Sequence, residues 1–99
     1  MPTTKIFTRP TTKRDLKRIG AGPERVRIRD ALERLRRGEA SLDIKPLVGA
    51  SPWLRLRVGD YRICFRGAPA PEGFDTAWVV DRIVHRRDLD AAVASLPAE

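Results

Sequence analysis

Residues 54 to 65 read LRLRVGDYRICF, and the alternation of apolar and polar positions across them leaves few folds open. A period of two marks a strand with one face buried, because successive side chains point to opposite sides of a sheet. Leu54, Leu56 and Val58 fall on one side; Trp53, Arg55 and Arg57 fall on the other. Gly59-Asp60 supplies the two-residue turn of a hairpin, although Gly-Asp is a weaker signal than Asp-Gly. On the return strand Tyr61, Ile63 and Phe65 alternate with Arg62, Cys64 and Arg66. The pattern predicts a β-ribbon with one apolar face and a row of guanidinium groups on the other.

The remaining elements follow from shorter signals. KIFT (5 to 8) is β-compatible and is closed by Pro10, which cannot donate to a ladder. Thr11 or Thr12 is suited to cap a helix carrying Leu16 and Ile19, which Gly20-Ala21-Gly22 ends. Pro23 suits the first turn of a second helix, with Ile28, Ala31, Leu32 and Leu35 on one face and Gly38 beyond its end. A connector follows (residues 39 to 52), then the hairpin, a loop at GAPAPEG (67 to 73) and a largely buried strand, TAWVVDRIVH (76 to 85). Asp88 is placed to cap a last helix running through Leu96. The order β-α-α-β-β-β-α predicts an α+β fold. Its sheet is small and antiparallel-dominated, with an N-terminal helical hairpin packed on one face and a short C-terminal helix. Ninety-nine residues bury one modest core, so a single domain spanning 1–99 is expected.

Charge narrows the partners. The formal net charge is +7, and 16 of the 20 basic residues are arginine. Arginine suits bidentate contact with phosphate or carboxylate, so a polyanion or an acidic protein is the expected partner. Between Lys13 and Arg37 ten basic residues face four acidic ones, so the helical hairpin carries most of the excess. Its outer arginines, among them Arg29 and Arg36, read equally as a solvated surface or as an RNA contact. Cys64 is the only cysteine; it permits no internal disulfide, fits a reducing compartment, and its mid-strand place favours packing over nucleophilic catalysis. The start, MPTTKIFTRP, has no apolar signal segment, and no stretch approaches a membrane span, so a cytoplasmic protein without a membrane partner is expected.

A strand running into GDYRICF, followed by a strand ending in IVHRRDL, resembles the RelE/ParE superfamily of type II toxins. LERLRRGEASLDIKPLVG is similar to that family's second helix and its K-x-L-x-G approach to the sheet, and the likeness covers nearly the whole chain. The resemblance implies a toxin neutralised by an antitoxin. In the RelE branch the toxin cuts messenger RNA on the ribosome; in the ParE branch it inhibits DNA gyrase. Consecutive His85-Arg86-Arg87-Asp88 is closer to the RelE side. By the same resemblance the antitoxin is acidic and wraps the toxin with its C-terminal segment, and sequence-specific DNA binding does not belong to the toxin alone.

Metal-free, cofactor-free RNA cleavage must deprotonate a 2'-hydroxyl, stabilise a phosphorane and protonate the leaving 5'-oxygen. Arginine serves the second need and not the others, because it does not readily give up its proton. The resemblance assigns the catalytic arginines to Arg55, Arg62 and Arg87, with Arg57 and Arg86 as adjacent phosphate contacts. Trp53 stands where the best-known nuclease has a second basic residue; it is either a stacking platform for a base or a core residue. Many relatives read HRRDVYR, whereas this chain reads HRRDLDA, so Asp90 occupies the place of a catalytic tyrosine. His85, the sole histidine, is either an acid-base group or a hydrogen-bonded strand end. Asp90 is either a base or a first-turn acid near a helix N-terminus.

Overall fold

In the computed structural model, which describes residues 3–97, the arginine-bearing hairpin lies inside a five-stranded sheet. Chain order is β1 (Thr4–Thr8), α1 (Pro10–Ile19), α2 (Pro23–Arg36), β2 (Ile44–Pro46), β3 (Leu54–Val58), β4 (Tyr61–Ala68) and β5 (Thr76–His85). A 3₁₀ turn (Arg86–Asp88) then leads into α3 (Leu89–Ala94). The strands are ordered β1-β5-β4-β3-β2; β1 runs parallel to β5 and the other pairs are antiparallel. The α+β class and the helical hairpin on one face are as the sequence predicts. Among the described residues no helix is long and apolar enough to cross a membrane.

Three local expectations are corrected. The connector of residues 39 to 52 contains β2, three residues paired to β3, too short to show any periodicity; Pro46 is tolerated there because β2 is an edge strand. Helix α1 is entered from Arg9 with Pro10 at its first position, not from Thr11 or Thr12. Thr12 is instead turned back, its hydroxyl accepting from the Arg9 N–H at 3.1 Å. The last helix is shorter than predicted: the residues after His85 tighten into the 3₁₀ turn, and α3 ends at Ala94.

The main core lies between the helices and one sheet face. Ile28, Ala31 and Leu35 of α2, spaced three and four apart, meet Leu56, Ile63, Phe65, Val80 and Ile83. Val80 and Ile83 reach the same core although they are three apart on one strand. The register explains this: Phe65 pairs with Val80 and Cys64 with Arg82, so Asp81 is an extra residue in β5, a bulge that reverses the side-chain parity beyond it. Helix α1 is fastened over this bulge. The Thr12 hydroxyl donates to the carbonyls of Val80 and Asp81 at 2.8 and 3.1 Å, and Arg9 pairs with the Asp81 carboxylate at 2.9 Å. One turn later Asp15, buried at 4% exposure, accepts the Ile83 N–H at 2.8 Å and clamps the Arg82 guanidinium through both oxygens, at 2.8 and 3.2 Å.

Helix α3 covers part of the opposite face, where Leu89, Val93 and Leu96 pack on Leu47, Trp53 and Cys64. Burial there pushes the Cys64 thiol up to about 12 and keeps it protonated, so it packs and does not act as a nucleophile. The β3–β4 turn has positive φ at Gly59 (+57°) and at no non-glycine residue, the pattern of a turn that takes glycine first. A Cβ at Gly59 meets only the end of Arg27, at 3.8 Å, so an alanine there is strained by backbone conformation alone. Gly59→Ala is expected to cost about 1–2 kcal/mol. A thermal melt checks this, with a fall of roughly 4–8 °C per kcal/mol for a domain of this size.

Candidate functional site

The sheet face opposite the helical hairpin divides into two halves. One half, Trp53 and Cys64, lies under α3. The other, toward the β3–β4 turn, carries Arg55, Arg57 and Arg62, whose shared side is dictated by strand parity. Arg57 and Arg62 are directly opposite one another in the register, and Arg55 is opposite Cys64. Like charges across an antiparallel pair repel, so the arrangement is unfavourable in the absence of an anion.

Arg62 is the centre of the group. Its Nη1 donates to the Gly59 and Tyr61 carbonyls, both at 2.9 Å, so the hairpin turn holds the guanidinium in place. Its pKa is lowered from the ordinary arginine value, first by burial and then by repulsion from Arg57, Arg55 and Arg86, with Asp43 acting in the opposite sense. The charges of three other arginines therefore act on Arg62. A phosphate placed there relieves the repulsion, which is the electrostatic condition for an anion site. Arg55 is only 17% exposed, and its Nη1 lies 3.3 Å from the Asp43 carboxylate. Arg86 joins from the 3₁₀ turn: its N–H donates to the Asp60 carbonyl at 2.7 Å, and its Nε lies 3.8 Å from the Asp60 carboxylate.

Other residues read from the sequence as site residues lie elsewhere. Arg87, 77% exposed, lines a cleft of about 470 Å³ between α1, the end of β5 and α3. The neighbouring Arg86 is the one joined to the hairpin turn at Asp60. His85 pairs with Tyr61 across β4 and β5, on the side opposite Arg62; its ring meets Tyr61 edge-on at 5.5 Å, and its Nδ1 accepts the Arg87 N–H at 3.2 Å. That is the hydrogen-bonded strand end. Trp53 is 3% exposed, donates through Nε1 to the Pro97 carbonyl at 3.3 Å and carries Arg66 over its ring at 5.5 Å, so it offers no face to a base. Asp90 is exposed in the first turn of α3. Arg29 and Arg36 are exposed on α2, and Arg36 is engaged by Glu33 one turn back. Two carboxylates at the edges of the arginine group, Asp43 and Asp60, had no motif to mark them; only the fold brings them to the site.

No protein-family model matches the chain, and no curated protein matches it in sequence. Among solved structures it is similar to a chain of the RelB–RelE antitoxin–toxin complex from Methanococcus jannaschii. The two are 25% identical, with a TM-score of 0.57 over 87% of this chain and 96% of that one. Sheet, helical hairpin and short last helix together make this a RelE-like α+β fold.

Proposed function

We propose that this protein is the toxin of a type II toxin–antitoxin pair and acts in the cytoplasm as a ribosome-dependent messenger RNA endonuclease. The observation that carries the reading is the placing of Arg55, Arg57 and Arg62 on one face of the β3–β4 hairpin, with Arg62 held by two carbonyls of the turn. Such a group stabilises the extra negative charge of a phosphorane, and it is held in place before substrate arrives. Arg86, tied to the hairpin turn through the Asp60 carbonyl at 2.7 Å, stands beside Arg87 as a candidate for the catalytic set. The likeness to a chain of an antitoxin–toxin complex supports an antitoxin partner. An acidic segment that folds on binding would cover apolar grooves and neutralise the arginines.

A second reading, gyrase inhibition without nuclease chemistry, is favoured by one observation: His85 is turned away from Arg62, and the chain's one tyrosine, Tyr61, is packed against it. Induced expression without antitoxin separates the two. Rapid loss of protein synthesis with cuts in ribosome-bound messages is the expected result. Filamentation and a DNA-damage response with intact messages would transfer the protein to the gyrase reading. A healthy culture containing folded protein would remove both.

A further inference from the structure

Arginine cannot take the proton of the attacking 2'-hydroxyl. His85 lies on the wrong side of the sheet, with Nδ1 already occupied, and Asp90 stands on the exposed side of α3. Two carboxylates do touch the arginine group, and they differ in how they are held. Asp60 lies at the tip of the β3–β4 turn, where its side chain is largely exposed beside Arg86. Asp43 precedes β2, and its backbone is fixed against β3: its carbonyl accepts the Arg57 N–H at 3.0 Å and Arg55 Nη1 at 3.4 Å. Its carboxylate meets Arg55 at 3.3 Å while staying 44% exposed, so it is both positioned and open to substrate. It is also the carboxylate that acts on Arg62.

We infer that Asp43 is the general base of this site, accepting the proton of the 2'-hydroxyl whose neighbouring phosphate is held by Arg55, Arg57 and Arg62. The assignment rests on the nuclease reading above. The 2'-oxygen passes its proton to the Asp43 carboxylate and bonds to phosphorus. The bond from phosphorus to the 5'-oxygen breaks, and the leaving oxygen takes a proton from water. The products are a 2',3'-cyclic phosphate and a 5'-hydroxyl, and Asp43 returns its proton to solvent. Arg55 lies between base and phosphate. It orients the carboxylate in the free protein and turns part of its charge to the phosphorane as the carboxylate is neutralised.

The test is single-turnover cleavage of a ribosome-bound message at saturating ribosome, across a pH series, for wild type, Asp43→Asn, Asp43→Glu and Arg62→Ala, with folding checked by melting. Asparagine keeps an oxygen toward Arg55 but is not a base. Asp43→Asn is expected to lose roughly a hundredfold or more in rate, and to lose the fall in rate that wild type shows toward acid. Asp43→Glu is expected to recover part of the rate and that acid limb. If Asp43→Asn cleaves like wild type with an unchanged pH profile while Arg62→Ala is impaired, Asp43 is not the base and the nuclease reading stands. If wild type leaves the message intact, both fail.

Discussion

Arg62→Ala is expected to slow the chemical step of cleavage by on the order of a hundredfold or more, about 3 kcal/mol, while leaving ribosome affinity nearly unchanged. The guanidinium is fixed by two carbonyls of its own hairpin turn, so its charge is in position before the phosphorane forms. A contact that strengthens only as charge develops raises the rate and not the affinity. The control is Arg29→Ala on the exposed side of α2, where loss of a surface charge should weaken ribosome association in a salt-dependent way and spare the chemistry. Arg36 is a poorer control, because Glu33 already engages it. Single-turnover rates at saturating ribosome, together with binding at two salt concentrations, read the two effects separately. Equal cleavage by Arg62→Ala and wild type would show that the arginine face serves binding or antitoxin contact alone.

Asp15→Ala is expected to remove about 3–5 kcal/mol of stability, the range for breaking one side of a buried ion pair. The carboxylate holds the Arg82 guanidinium with two hydrogen bonds and accepts the Ile83 N–H, at a place where β5 has run past the end of β1. Removing it leaves a buried donor and a largely buried cation short of a partner. Since domains of this size are stable by only about 5–15 kcal/mol, the loss is a large share of the total. Urea unfolding measures it. Asp15→Asn, which keeps an acceptor for Ile83 but not the charge, should fall between wild type and alanine. A change under 1 kcal/mol for alanine would show that α1 is held mainly by Thr12 and its apolar face.

The hairpin was legible because alternation over a dozen residues is a strong signal with a single physical cause. The strand β2 was not, since three residues carry no period, and neither was the parallel pairing of β1 with β5, which depends on a partner far along the chain. At the site, the common side of Arg55, Arg57 and Arg62 followed from strand parity. The places of Arg86 and Arg87 relative to the hairpin did not. In a 3₁₀ turn adjacent side chains diverge by about a third of a rotation, so the geometry of that turn decides which one returns to the sheet. The side that His85 takes was hidden for a related reason: the bulge at Asp81 sets it, and a single extra residue in a strand leaves no mark in the sequence pattern.

The pairing of β1 with β5 also constrains when this molecule can exist. Thr3 bonds to Asp75 across 72 residues, and the hydrogen-bonding partners of α1 at Thr12 and Asp15 are also on β5. Strand β1 and helix α1 can meet α2 early, but they lack these hydrogen-bonding partners until β5 has formed. Contacts this distant in sequence form late and fold slowly. The sheet and the clasp of α1 over it are therefore completed in one step, when β5 takes its place between β1 and β4.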